Sequence, residues 1–531
     1  MNRRTLLGTA LATATGGLAL PQVGRTQIPA HTAQILRFVP QADLAVLDPV
    51  WTTADVTRNH AFMVFDQLYG LDAKLLPQPQ MVEGHVIGAD GLQWDLTLRP
   101  GLRFHDNSPV LARDCVASIR RWAPRDGFGR DLLAATEDIS APTDTLIRFR
   151  LKRPFPLLPM ALATPNSMCA IMPERIIAAA GEKPVTEMVG SGPFRFLPGE
   201  RVAGSRVAYA RFEGYVPRES GEESGCAGPK RVHFDRVEWT VVPDPATAAS
   251  AMQQGEFDWL EKPSIDLVPT LRHVRSLALE VKDQTGSIGC LRFNCLQPPF
   301  DNPAIRRLIV SAVNQGDCMS AYAGAEPTLI RTGIGLFAPV SPFVNDAGMA
   351  LLGSRKDAGS LATELKAAGY DGRPVVLLAA QDQVNIAPVA LVVGDMLRRI
   401  GFNVDYQSLD WGTVVQRRAS KAPVSAGGWD MFVTYLGSLS NAVPAANIAL
   451  GTGPNSWPGW WTSTKRDALM QRWFDAPDLA AQQAACRDLQ AMFFEDPSYA
   501  PLGMYEQPTC NNTRITSIPA GFPVFWGVRP A

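Results

Sequence analysis

An excess of charge of either sign is almost absent from this sequence. Fifty Lys and Arg stand against 51 Asp and Glu, a formal net charge of −1. A dedicated nucleic-acid binder shows a basic face, so no nucleic-acid partner is expected. No apolar run of about 18 residues follows the N-terminal region, and the mature chain is not expected to enter a membrane. Six scattered histidines give little support for a His-built metal site. GxSxG, HExxH and Walker-A patterns are missing, so the common hydrolase and nucleotide signatures are excluded. Gly333-Ile334-Gly335-Leu336-Phe337-Ala338 fits GxGxxA only formally, without a strand before it or a helix opening after it. No CxxC pair or zinc-like cluster occurs among the eight cysteines. Packed free thiols are expected for most of them, with at most one or two bridges; Cys290 and Cys295 would pair only across a strand turn.

What is present is a globular balance, 46% hydrophobic and 19% charged. At 531 residues the chain is too long for one ordinary core and predicts roughly two to four domains. The first thirty residues read as an address. Arg3 and Arg4 precede Thr5-Leu6-Leu7 and a weakly polar Ala/Gly/Leu-rich stretch to Leu20. This predicts an export signal of the twin-arginine type, cut between Ala19 and Ala33. Asn2 stands where Ser or Thr is usual, and Leu6 where Phe is common. No cysteine precedes Cys115, so the product is expected to be non-lipidated, soluble and periplasmic.

Strands and helices alternate along the rest. Ile35–Val39 reads as a short strand. Val375–Ala379, a helix from about Ala387 to Ile400, and Phe402–Leu409 form a βαβ unit, which implies a parallel sheet. Gly401 stands where a helix stop is wanted. Trp429–Leu436 is a further strand. Ile305, Leu308, Ile309, Ala312 and Val313 share one helical face, with Asp301 and Asn302 as cap candidates before Pro303. Asp244-Pro245 opens another helix that Gly255 closes. Residues 213–230 and 452–459 read as turn-rich surface loops.

Four ordered blocks then carry a resemblance. They are Asp90–Asp106 (DGLQWDLTLRPGLRFHD), Val189–Phe196 (VGSGPFRF), Ala249–Asp258 (ASAMQQGEFD), and Asn294–Ile309 with Pro299-Phe300-Asp301-Asn302 inside. Physically they are mostly scaffold. Trp94, Leu96 and Leu98 alternate with Gln93, Asp95 and Thr97 as a half-buried strand, Gly91 makes a turn, and Phe104, His105 and Asp106 are expected to be structural. Together with the leader, the blocks resemble the peptide/nickel-type extracellular solute-binding proteins (family 5) of ABC importers, over essentially the whole mature chain.

The resemblance implies an α/β, two-lobed periplasmic-binding-protein fold of the class II type with an extra third domain. The first lobe would be discontinuous, at 34–72, 191–286 and 500–531; the extra domain would be 73–190 and the second lobe 287–499. Hinge closure over a solute and docking on a membrane permease would follow, by a monomer with no cofactor and no catalytic residue. The pocket positions it implies are the loop Asp43–Asp48 including Leu44, then Asp410-Trp411, then Tyr435, Leu436, Gly437, Ser438 and Asn441. Trp411 and Tyr435 would stack on a ligand, with core packing as the alternative for each. Phe128 would reach the cleft from the extra domain, whereas Trp457, Trp460 and Trp461 are expected to pack. Peptide-binding relatives often carry an acid after the strand of Tyr435, to receive the peptide ammonium. Leu436–Pro444 has none. Either Asp43, Asp382 or Asp410 meets the amine, or the ligand has no free N-terminus. A non-peptide solute, a nickel chelate, and an exported enzyme or sensor partner on the same fold stay open.

Overall fold

The structure is a computed structural model that describes residues 34–324, 326–352, 357–383, 385–453 and 456–531, without the side chains of Ser438 and Leu439. The expected export signal and its cleavage window lie outside the described residues.

Two mixed sheets carry the fold. The first runs in the order Leu277–Glu280, Thr509–Asn512, Trp259–Leu260, Ile35–Val39, Arg236–Thr240, Arg206–Arg211, Phe194–Phe196. Ile35–Val39 lies at its centre, parallel to both neighbours. It is buried at Leu36, Phe38 and Val39 because a central strand is covered on both faces. Phe38 meets Trp259 and Phe525 edge to face at 5.1 and 5.0 Å and tilts against Trp239 at 5.4 Å.

The second sheet runs in the order Ile330–Arg331, Tyr499–Tyr505, Ser287–Phe293, Met431–Gly437, Pro374–Ala380, Asn403–Leu409. The βαβ unit is there as read. Pro374–Ala380 pairs in parallel with Asn403–Leu409, joined by the helix Ala387–Arg399. Gly401 follows that helix at φ +101°. Asn302 caps the helix Pro303–Ala312 on the N–H of Ala304, and Asp244 caps Pro245–Gln254 on that of Thr247.

A third, four-stranded antiparallel sheet orders Val82–Ile87, Gln93–Leu98, Leu146–Leu151, Thr136–Ser140. Trp94, Leu96 and Leu98 face inward, as their alternation requires. Gly190 and Gly192 run against the helix Asp55–Val64. A Cβ would fall 2.0 Å from the Val64 carbonyl oxygen at the first and 2.5 Å from that of Met63 at the second. Only glycine allows this crossing. Buried His105 braces it, with Nε2 3.0 Å from the Gly192 oxygen, and burial pushes its imidazole down to about 4. The 213–230 loop is tied down at both ends. Lys230 Nζ and Tyr215 Oη donate to the two oxygens of buried Asp66, at 2.7 and 2.9 Å.

All eight cysteines are free thiols. Cys290 sits inside the extended strand Ser287–Phe293 and Cys295 just beyond it, so no strand turn brings the two together. The formal GxGxxA run lies between Arg331 and Met349, a stretch without strand or helix.

The chain crosses between the two large sheets through Val281–Gly286, and back through Glu506–Pro508. Tyr499–Tyr505 pairs inside the second sheet, so the return falls later than the border expected at 500.

Candidate functional site

Open α/β sheets bind ligands beyond the carboxyl ends of their parallel strands. Here two such edges meet at the crossings. Beyond the first sheet lie the loop after Val39 and the residues Glu261–Pro263 after Leu260. Beyond the second lie the segments after Ala380, Leu409 and Gly437. Gln507 links them: its Oε1 accepts from Tyr322 Oη at 2.9 Å, and its Nε2 donates to the Pro263 oxygen at 2.9 Å. Arg272 and Glu326 form a bidentate ion pair nearby, at 3.1 and 2.9 Å. A cavity of about 420 Å³ lies there, lined by Arg272, Val281, Arg331, Val340 and Glu506.

The first edge is a charged network that the sequence reading did not name. The Gln41 N–H and Asn59 Nδ2 donate to the two oxygens of buried Glu261, at 2.8 and 3.0 Å. Lys262 Nζ donates to Gln41 Oε1 at 2.6 Å and to Asp55 Oδ2 at 3.0 Å. Arg58 Nη1 stands 3.1 Å from Asp55 Oδ1, and the guanidinium lies 4.1 Å over the Phe522 ring. Burial raises the Glu261 carboxyl, against the pull of Lys262. Burial works to raise Asp55 too, but Arg58 and Lys262 outweigh it and hold that carboxyl well below the usual range. In the same loop Leu44 is buried, and its carbonyl accepts from Arg201 at 2.7 Å. Asp43 beside it is half-buried. Asp48 is anchored to the region of the third sheet by Arg121 and by the Val185 N–H at 2.8 Å.

The second edge is aromatic. Tyr435 is 39% exposed and meets Tyr505 edge to face at 6.2 Å. Tyr505 lies tilted against Tyr322 with ring centroids 4.0 Å apart, and its hydroxyl accepts from Asn385 Nδ2 at 2.9 Å. Trp411 is the first residue of the helix Trp411–Arg418, and the Arg418 guanidinium lies 5.0 Å from its ring.

Both acids of this edge are engaged. Asp410 caps its helix on the N–H and hydroxyl of Thr413, at 2.9 and 2.6 Å, and those bonds lower its carboxyl. Asp382 Oδ1 accepts from the Trp411 N–H at 2.9 Å. Leu436 and Asn441 are buried, and Asn441 Nδ2 donates to the Leu436 oxygen at 3.0 Å. Asn441 therefore shapes the loop at Gly437 and Ser438.

Phe128 differs from its expected place. It is 2% exposed, enclosed by Phe155, Trp473 and Phe474 at 5.7–6.2 Å. It cements the third sheet's helix Gly127–Ala135 to the outer helix Thr464–Phe474 rather than facing a cleft. Trp460 and Trp461 are buried and Trp457 is packed against the core, as their position implied. Among the described residues, no group of three or more His, Cys, Asp and Glu is placed to hold a metal ion.

Sequence reasoning missed Tyr505, Tyr322, Asn385 and the Asp55–Lys262 network. Glu261 and Lys262 follow the GEFD block within four residues, a signal that was available. Tyr505 reaches the edge through pairing between distant strands, and Tyr322 through the helix Gln315–Ala323, whose tyrosine meets Tyr505.

Comparison with known proteins agrees with this architecture. Residues 77–457 match the profile of the bacterial extracellular solute-binding proteins, family 5. The chain is 34% identical over the full length of both proteins to a probable peptide ABC transporter periplasmic-binding protein, y4tO, of Sinorhizobium fredii (strain NBRC 101917 / NGR234). In structure it is similar to AgaA of A. tumefaciens R10, solved with agropinic acid, at a TM-score of 0.75 and 19% identity, over 94% of this chain and 98% of that one. It is equally similar to a dipeptide-binding protein of Pseudoalteromonas sp. SM9913, solved with Met-Leu, at a TM-score of 0.75 and 19% identity, over 94% of this chain and 100% of that one. The two large sheets are therefore the two lobes of a periplasmic-binding-protein fold, and the chain belongs to the bacterial extracellular solute-binding proteins, family 5.

Proposed function

We propose that this chain is the periplasmic solute-capturing component of an ABC importer, acting without catalysis. It closes its lobes over a small solute and passes it to a membrane permease. The observation that carries this is the pair of short crossings, Val281–Gly286 and Glu506–Pro508, between two sheets whose ligand-side edges meet there. Two neighbouring crossings form a hinge, and a ligand that touches both edges shifts the population toward closure by its differential affinity. The discontinuous first lobe, the third domain around the 82–151 sheet and the second lobe are the bodies that move, as a monomer exported through its leader. Asp43, Trp411, Tyr435, Gly437 and Ser438 line the cleft, joined by Asn385 and Tyr505. The relative named a peptide transporter component, 34% identical over its whole length, favours a peptide-class ligand.

One observation favours a second reading of the ligand. Leu436–Pro444 holds no acid, and Asp382 and Asp410 already serve the Trp411–Arg418 helix. A buried ammonium without a counter-charge is costly. A ligand without a free N-terminus, or a non-peptide solute, meets no such cost here.

A thermal-shift panel tests both readings, with di- to pentapeptides, N-blocked peptides, opines, glycosides, and nickel with and without chelators. A ligand at about 100 times its Kd adds about 2.7 kcal/mol. Stabilisation by free peptides supports the first reading. Stabilisation by blocked peptides or opines alone supports the second. A scattering radius that stays constant when a stabilising ligand is added would refute hinge closure.

A further inference from the structure

A second cavity, of about 160 Å³, borders the crossing Val281–Gly286. Leu71, Leu75, Cys226 and Phe522 of the first lobe line it, with Val340 of the second lobe and the crossing residues Lys282–Thr285. It lies between the two ligand-side edges. Phe522 carries the Arg58 guanidinium of the first edge over its ring, at 4.1 Å. Val340 belongs to a segment tied to the loop of the second edge: the Ala338 N–H donates to the Asn441 oxygen at 3.0 Å, and Ser341 Oγ to the Ala442 oxygen at 2.6 Å.

Its walls are held in place. The Cys226 N–H donates to the Leu71 oxygen at 2.8 Å, the Ala73 N–H to Ser224 Oγ at 2.9 Å, and the Gly521 N–H to the Lys282 oxygen at 2.7 Å. Leu75 stands at φ +59°, a left-handed backbone that favours glycine and is costly for a larger side chain. Asp72 imposes it. Its carbonyl receives the Leu75 N–H at 2.9 Å, and its carboxylate receives the N–H groups of Lys74 and Leu76 at 2.8 and 3.0 Å. The Leu75 side chain is 6% exposed, so a glycine here would relieve the backbone and open the wall. The other charged side chains at the rim face near neighbours: Lys282 Nζ stands 2.5 Å from Glu280, and Asp283 accepts from the Thr285 N–H at 3.0 Å. Inside this rim the wall is mostly carbon. An apolar cavity of about 150 Å³ takes up a molecule the size of benzene.

We propose that this cavity is a subsite for an apolar group of the ligand, about the size of a leucine or phenyl side chain. The assignment rests on the solute-receptor function above and narrows the ligand to solutes that carry such a group. First lobe, crossing and second lobe all supply wall, so an occupant touches both lobes and favours the arrangement that encloses it.

The test uses trialanine and the three tripeptides in which one alanine becomes leucine, each free and N-acetylated. They are titrated calorimetrically into the wild-type protein, Ala73→Trp and Ala520→Trp. Ala73 and Ala520 border the cavity and are exposed, so an indole there fills it without disturbing the core. Burial of the added carbons predicts that one leucine position binds the wild type about 10- to 100-fold tighter than trialanine. Each tryptophan variant is expected to erase that preference and to leave trialanine binding nearly unchanged. A plug that merely obstructs entry would weaken alanine and leucine forms alike and keep their ratio. That result overturns the proposal, as does a leucine preference that survives in both variants, or its absence at every position in the wild type. Where only longer peptides bind, the same leucine-for-alanine ratio is read on them. Binding by glycosides or nickel chelates without an apolar arm, and by no peptide, leaves the receptor function standing and the subsite refuted. If no member of the wider solute panel binds, the receptor function fails and the assignment falls with it.

Discussion

At the edge of the first sheet the strand ends carry charge; at the edge of the second they carry rings. Glu261, Asp55, Arg58 and Lys262 form one connected network, with Glu261 and Arg58 deeply buried. Tyr435, Tyr505 and Tyr322 make an aromatic cluster whose outer member is open to solvent, and Asp382 and Asp410 accept hydrogen bonds from the helix behind it. The difference separates two tasks. A charged network in a low-dielectric edge is costly unless every member is met, so it is stiff and selects by charge. An exposed tyrosine over a packed one offers area with little fixed demand, and it tolerates varied ligand shapes.

If the contrast is real, damage to the first edge reaches the fold, and damage to the second reaches only binding. The largest effect is expected for Glu261→Ala. It strands Asn59 Nδ2 in a buried place, at about 1–3 kcal/mol, and unpairs the part-buried Gln41 N–H. Urea unfolding is expected to show a loss of about 1–3 kcal/mol, and a loss near zero would dissolve the distinction between the edges. Next comes Trp411→Ala. Ligand binding is expected to weaken about tenfold, with about 0.5–1 kcal/mol of stability lost with the Arg418 contact; unchanged binding removes Trp411 from the site. Tyr435→Ala is smaller still. An edge-to-face contact is worth about 0.5–1.5 kcal/mol, so a Kd increase of up to about tenfold is expected with almost no change in melting. A melting loss as large as that of Glu261→Ala would refute the division.

The smallest effect is a pH dependence at Asp410. Its bonds to Thr413 lower the folded-state carboxyl below the unfolded one. Its capping contribution is therefore fully present above the unfolded carboxylate range and fades as pH falls through the lowered value. Asp410→Asn is expected to differ from wild type in urea midpoint at neutral pH and to converge with it in acid. A constant gap across that range would deny the linkage.

Much of the scaffold was legible in the residues. Asn302, Asp244 and Gly401 mark helix ends, because capping and left-handed backbone are local demands that particular side chains meet. The alternation in Gln93–Leu98 and the apolar run of Pro374–Ala380 were equally plain, since a pleat with a buried face dictates its own pattern. The proposed ligand-facing residues were less legible. Trp411 and Tyr435 were singled out by family position, and in the structure one opens a helix and the other covers a buried tyrosine. Phe128 misled because an aromatic in a loop reads alike whether it faces a cleft or a neighbouring domain. Lys262 and Asp55 lie 207 residues apart, and no local pattern couples them.

The sequence by itself determined the family, the approximate extent of several helices and strands, and the missing acid in Leu436–Pro444, because each depends on residue types within a short span. Tertiary structure alone decided which of those residues share an edge. It set Asp55 beside Lys262, Tyr435 beside Tyr505, and the return crossing after Tyr505, since hydrogen-bond partners and ring contacts depend on pairings between strands far apart in the chain.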